Sequence, residues 1–270
     1  MERPNWAPGD IDLERPSVAR VYDYWLGGAH NFAADRAVAQ RILEDVPHLR
    51  GVIVNHRSFL RRAVKHLVSV GVRQFLDLGS GIPTVGNVHE IAQGADPTSK
   101  VVYVDIDPVA VAHSRSLLLD NDQVNVLQTD VRDAAVVLKS PEVTELLDFD
   151  QPIAVLMVAL LHFVPDGEHP REIIAAYRDA LPAGSYLAMS HAGYEPGEWD
   201  PNWNAARTAY NSNVQQMTYR TKAEIISMFD GFELVEPGVA RLPLWQPDSP
   251  DDVGDDAATF LGFGAVGRKA

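Results

Sequence analysis

Gln74-Phe75-Leu76-Asp77-Leu78-Gly79-Ser80-Gly81-Ile82-Pro83-Thr84 is an apolar run that breaks into a glycine turn. The run predicts a strand over 74–78. Gly79 and Gly81 allow a tight turn and let a ligand come close to backbone N–H groups, Ser80 included. Working outward, two more apolar runs end in acids. Val101-Val102-Tyr103-Val104-Asp105-Ile106-Asp107-Pro108 places Asp105, with Ile106 beside it, at the tip of the next strand. An acid there, roughly 20 residues on, is suited to ribose hydroxyls. Asp107 precedes Pro108 and reads as the cap of the following helix. Val124-Asn125-Val126-Leu127-Gln128-Thr129-Asp130 ends in a third acid, which can accept from an exocyclic amine while Val131 offers its backbone N–H to the ring. The three turns describe a pocket for an adenosine-bearing cofactor.

Details of the turn narrow the choice. A dinucleotide site wants a third glycine for helix packing against the strand, and here Ile82, Pro83 and Thr84 follow instead. Asp77, two residues before Gly79, would repel a pyrophosphate and suits the ammonium of a methionine moiety. No Gly-Lys-Ser/Thr follows, so the P-loop pattern is absent too. S-adenosylmethionine (SAM) carries a sulfonium and an amino group and no phosphate, and it fits both points. An NAD-linked oxidoreductase is disfavoured on the same grounds.

The segment resembles the class I SAM-dependent methyltransferases, whose first motif is an acidic residue-x-Gly-x-Gly. More narrowly, the chain resembles the S-adenosyl methyltransferase family first catalogued as domain of unknown function 574 (DUF574). The matching stretches are Ala19-Arg20-Val21-Tyr22-Asp23-Tyr24, Gly27-Gly28, Asn31-Phe32-Ala33-Ala34-Asp35-Arg36, Asn55-His56-Arg57-Ser58-Phe59-Leu60, Gly79 to Thr84, Gly86-Asn87-Val88-His89-Glu90 and Val104-Asp105-Ile106-Asp107-Pro108. Similarity continues through Leu161-His162-Phe163-Val164-Pro165-Asp166 and from Arg220 to Gly238. Pro83 departs from the broad class, where many members carry a third glycine. The resemblance implies a SAM cofactor, S-adenosylhomocysteine as product, and a Rossmann-like α/β fold. In that fold a mostly parallel seven-stranded sheet ends in an antiparallel last strand, here with an N-terminal helical extension.

Composition sets bounds. At 270 residues the chain suits one α/β domain with additions. No apolar run is long enough to span a membrane, and the start of the chain has no apolar signal core, so a cytoplasmic location is expected. Zero cysteines exclude disulfides and thiolate chemistry. A formal net charge of −14 opposes phosphate backbones, so a small-molecule methyl acceptor is expected rather than nucleic acid. The histidines show no metal-ligand spacing.

Along the chain, Met1 to Pro16 reads as a proline-rich extended arm. Ser17 caps a helix over 18–26 that stops at Gly27-Gly28. Asn31 can cap a second helix through about Leu43, and a third runs from about Asn55 to Val68, with Gly71 past its end. Strands and helices then alternate: strand 74–78, helix 87–93, strand 101–105, helix 108–119, strand 124–128, helix from 133, strand 153–158, helix 168–181, strand 185–190. That alternation predicts a parallel sheet covered on both faces. Residues 195–219 are a polar, aromatic insertion with Trp199 and Trp203. Helix 221–229, strand 232–236 and a closing strand 260–267 follow. The expected organisation is one domain over 1–270: a helical cover at 17–70, a SAM-binding core at 71–191, and a substrate-side insertion with closing strands at 192–270.

Four further positions have two readings each. Arg57 could hold the methionine carboxylate in bidentate fashion, or lie on a solvated basic face with Arg61, Arg62 and Lys65. Tyr22, in a cluster with Tyr24, Trp25 and Phe32, could cover a sulfonium or simply pack the helix. His162 and His191 follow the fourth and fifth strands. Either could be the base that deprotonates an acceptor, and either could be structural. The function expected is methyl transfer to O or N of a small molecule; the alternative is a SAM-binding sensor or scaffold without transferase activity.

Overall fold

The β1 strand (Gln74–Leu78) is buried at every position, so both of its faces must be covered. Leu76 and Leu78 point into one apolar cluster and Phe75 into another, as a period of two requires. The computed structural model describes residues 11–47, 49–83, 86–198, 202–250, 253–254 and 260–270. The arm before Ile11, Thr84 and Trp199 lie outside these residues.

Three helices precede the sheet: α1 (Val18–Trp25), α2 (Ala33–Asp45) and α3 (Leu49–Ser69). After β1 come α4 (Val88–Ala95), β2 (Lys100–Asp105), α5 (Pro108–Leu117), β3 (Val124–Gln128), α6 (Ala134–Lys139), α7 (Pro141–Thr144), β4 (Ala154–Val158), α8 (Pro170–Ala180) and β5 (Tyr186–His191). The remainder is β6 (Gly193–Tyr194), α9 (Asn202–Asn213), β7 (Arg220–Thr221), α10 (Lys222–Ser227), β8 (Phe232–Leu234), β9 (Ala240–Arg241) and β10 (Phe263–Lys269).

The main sheet runs β3-β2-β1-β4-β5-β10-β8, with the short β9 also on β10. Pairs from β3 to β5 are parallel; β10 is antiparallel to β5, β8 and β9. The expected closing strand is therefore present, inserted between β5 and β8. One face packs on α6, α8 and α10 through Val137, Ile174, Tyr177 and Met228. The other packs on α3, α4 and α5 through Phe59, Leu67, Ala92 and Val111, with Trp245 completing it. Each such side chain contributes roughly 1.5–3 kcal/mol by leaving water.

Several boundaries move for local reasons. Ser17 caps α1 as predicted, its hydroxyl accepting from Arg20 N–H. Asn31 does not cap α2. The cap is Phe32, whose N–H donates to Asp35 at 2.8 Å, while the Asn31 amide donates to Asp23 and to the Gly28 carbonyl. The α3 helix starts six residues before Asn55, because Ile53 already packs against α1 and α2. The insertion contains α9, which the polar sequence did not announce; Tyr210 buries it against Trp25 and Phe163. Among the described residues no helix is long and apolar enough to cross a membrane.

Candidate functional site

The strand order reverses beside β1, where β2 leaves on one side and β4 on the other. Ligands in open α/β sheets bind at such a switch point, outside the carboxyl ends of the strands. A cavity of about 580 Å³ lies there. Asp77, Gly79, Ser80, Gly81, Asp105, Ile106, Asp130, Val131, Arg57 and Tyr22 all line it.

The floor is the turn after β1. Gly79 and Gly81 have φ of +71° and +67°, a region that suits glycine. Gly79 and Ser80 both donate to the Val104 carbonyl, which ties the turn to β2. Gly79 has a second constraint: a Cβ there would sit 2.6 Å from Leu160 Cδ1. Leu160 is placed by a strained neighbour. Ala159 has φ of +55° and donates its N–H to Ser190 Oγ at 2.9 Å, and Ser190 is hydrogen-bonded in turn to His56 Nδ1 at 2.8 Å.

The acids differ in environment. Asp77 is only 5% exposed. Burial pushes its carboxyl up from the ordinary 3.8 to about 7, against the pull of the Arg57 guanidinium and with the push of Asp105. Burial lifts Asp105 to about 6, partly offset by the N–H groups of Asp107 and Gly81, which donate to it at 2.8 and 2.7 Å. Asp107 caps α5 through Val109 and Ala110 N–H. Asp130 is held below the usual carboxylate range, chiefly by hydrogen bonds from Arg132. Arg57 reaches the Gly86 carbonyl at 3.0 Å, on the far lip of the turn.

A roof comes from the N-terminal segment. Ile11 to Tyr22 contribute to the lining, so the arm from residue 11 onward is part of the wall. Arg20 fixes it. The side chain is 4% exposed, pairs with Asp35 at 3.0 Å and Asp107 at 3.5 Å, and donates to the Arg15 carbonyl. It therefore joins α1 to α2 and to the cap of α5. Tyr22 donates to the Ile53 carbonyl at 3.3 Å, and burial raises its hydroxyl to about 12.

His162 and His191 do not reach the cavity. His191 is wholly buried: Nδ1–H donates to the Ala192 carbonyl at 2.7 Å, and Nε2 accepts from Arg220 at 2.6 Å. Its lone pair is engaged, and burial with the Arg220 charge lowers it to about 3. His162 packs edge-on against Phe163, His191 and His56; burial, and then the charges of His191, His56 and Arg220, lower it well below its ordinary value. Neither is among the residues that line the cavity, and His162 Nδ1 is buried without a hydrogen-bond partner among the described residues.

The glycine turn, the buried acid Asp77 and the strand-tip acid Asp105 fit a SAM-type ligand. The family model described as S-adenosyl methyltransferase matches residues 4–270. The chain belongs to the S-adenosyl methyltransferase family. It is a SAM-dependent methyltransferase. A crystal structure of a methyltransferase candidate from Thermobifida fusca YX is 41% identical, with 98% of this chain and 99% of that one covered and a TM-score of 0.91. A DUF574 family protein from Streptomyces avermitilis MA-4680 is 37% identical over 96% of this chain and 99% of that one, with a TM-score of 0.90. Human N-acetylserotonin methyltransferase, solved with SAM, shares the fold at 16% identity and a TM-score of 0.51, covering 95% of this chain and 63% of that one. No curated protein matches the chain.

Several lining residues of the methyltransferase carried no site chemistry in its sequence, although Phe163 and Val164 fall in a stretch that resembles the family. Val158, Leu160, Phe163, Val164 and Val214, with Gln215, form an apolar end beside the tip of β4. Phe163 stacks on Tyr210 of α9, centroids 5.8 Å apart. These residues come from the turn after β4 and the segment after α9, which only folding brings together. Arg132 also lines the cavity. The spacing Asp130-Val131-Arg132 in a strand-tip turn was the available hint.

Proposed function

We propose that this methyltransferase transfers the methyl group of SAM to an oxygen or nitrogen of a small molecule and releases S-adenosylhomocysteine. The observation that carries the reading is the cavity's two-ended chemistry, with acids and a glycine turn by β1 to β3 and an apolar wall by β4. On this reading the turn at Gly79, Ser80 and Gly81, whose N–H groups are tied to Val104 and Asp105, lets the ligand approach closely, and the carboxylates of Asp77 and Asp105 hold the amino acid and ribose parts. Arg57 holds the carboxylate, and Asp130 with Val131 holds adenine, with Ile106 against the ring. Ile106 is apolar yet 61% exposed and lines the cavity, which suits contact with an adenine ring. Bound SAM supplies a methyl group activated by a sulfonium.

The protein's part is positioning and exclusion of water. Tyr22 and the Arg20-anchored segment roof the cavity, and removing water strengthens the field of the buried acids. The acceptor takes the apolar end, beside Phe163 and Val214. The overall charge of −14 supports a small acceptor over nucleic acid. The test has two stages. Calorimetry should show SAM and S-adenosylhomocysteine binding one to one, and turnover against a library of small O- and N-nucleophiles should yield a product heavier by one methylene. SAM binding with turnover on RNA or DNA and on no small-molecule nucleophile would overturn the small-molecule assignment.

A further inference from the structure

Asp130 is held by its near neighbour. Its carboxylate accepts the Arg132 backbone N–H at 2.9 Å, Arg132 Nε at 3.0 Å to both oxygens, and Nη2 at 2.5 Å. Three N–H groups thus fall on a carboxylate with about four lone-pair sites, leaving one on a residue that lines the cavity. Arg132 is anchored from the other side as well. Its Nη1 meets Glu168 at 2.6 Å, on the turn after β4, and the Tyr177 hydroxyl donates to the Val131 carbonyl at 2.7 Å. The whole adenine-side turn is therefore tied down by groups from outside β3.

We propose that Arg132 is a positioning residue that sets the base specificity of the cofactor site, by fixing Asp130 as an acceptor-only group with a single open place. The inference rests on the reading of Asp130 as the adenine partner. A purine with a 6-amino group brings a donor to that place. A 6-oxo purine brings an acceptor, and both oxygens then lose their water without gaining a partner. A protonated carboxyl could donate to a 6-oxo group, so discrimination requires that Asp130 stay ionised. The paired guanidinium enforces that and stops the carboxylate from rotating away. Lys at this position would keep the charge and lose the planar fork.

The experiment is calorimetry with S-adenosylhomocysteine and its 6-oxo analogue, S-inosylhomocysteine, on the wild type, Arg132→Ala and Arg132→Lys. Arg132 is 45% exposed at its side chain, and an unchanged melting temperature would verify that the variants fold. The wild type should prefer the amino form by at least about 100-fold. In Arg132→Ala that ratio should fall about tenfold or more, through weaker binding of the amino form, with Arg132→Lys in between. An unchanged ratio in Arg132→Ala overturns the inference. A wild type that binds both analogues equally overturns it too, because Asp130 would not read the base. A wild type that binds neither overturns the cofactor reading itself and this inference with it.

Discussion

Asp77 and Arg57 face each other across the first turn, one sealed from water and the other tied to the Gly86 carbonyl. Asp77 binds a proton in the folded protein and not in the unfolded chain between its ordinary 3.8 and about 7. The contribution of Asp77 to the stability of the ligand-free protein should therefore fall as pH rises through that window and level off above it. It is read as the wild type against Asp77→Asn, because buried His56, His162 and His191, all lowered, act in the opposite direction. A cationic amino group bound beside it needs the ionised form, so SAM affinity should rise over the same range. Melting curves with and without S-adenosylhomocysteine from pH 5 to 8.5 check both signs; a ligand-induced shift that shrinks with pH would contradict the role given to Asp77. Asp105→Ala removes a partner worth ~1.5–3 kcal/mol, so SAM affinity should drop at least about tenfold by calorimetry. Arg57→Ala should weaken SAM and S-adenosylhomocysteine and spare adenosine, which lacks the carboxylate. Equal weakening of all three would mean damage to the fold.

At the scale of elements, α1 is held to the molecule by one buried side chain more than by its own length. Eight residues are too few for a stable isolated helix. The pairing of Arg20 with Asp35 and Asp107 lies at 4%, 0% and 8% side-chain exposure. Arg20→Ala leaves two buried carboxylates without their cation, a change that typically costs about 3–5 kcal/mol. Its melting temperature should fall by several degrees, and SAM affinity should fall with it because α1 roofs the cavity. The turn after β1 has a similar interlock. Gly79→Ala would place a Cβ at positive φ and against Leu160, so it should lose roughly 1–3 kcal/mol and most SAM binding. A stable variant with normal affinity would show that Leu160 yields freely.

For the whole molecule, the sheet supplies a rigid base and two additions supply the cover. The segment from Ile11 to α3 and the stretch around α9 meet through Trp25, Tyr210 and Phe163 over the end of β4. The central strands are buried on both faces, while the cover contacts the core through the Arg20 network, these rings and a small apolar cluster of Ile11 and Phe32 with Ile82, Val109 and Ala110. Local opening should follow that difference. In hydrogen exchange, amides of β1, β4 and β5 should exchange slowest. Amides in 17–26 and 210–219 should gain protection when S-adenosylhomocysteine is added. No change in 17–26 would separate the N-terminal helices from the cofactor site.

The sequence by itself determined the sheet and its cofactor end. Strand runs of five or six apolar residues, each closed by Gly or Asp, are local signals, and the strand-tip rule converts them directly into a wall of the cavity. Gly79, Gly81, Asp105 and the cap at Asp107 were legible because each needs only its own backbone context. The family resemblance supplied the place of the antiparallel closing strand. The structure decided what depends on distant contacts. Asn31 lost the cap of α2 because Asp23 and Gly28 claimed its amide, and Asp35 took over. His162 and His191 stand at the right strand ends, yet they turn behind the wall, where Arg220 from β7 engages His191. The lead from residue 11 became lining because Arg20 found Asp107 on α5, a partner 87 positions away. Hydrogen bonds and ion pairs of that reach depend on geometry that no stretch of chain encodes alone, and so does the apolar end of the cavity, where Leu160 and Phe163 meet Val214 only on folding.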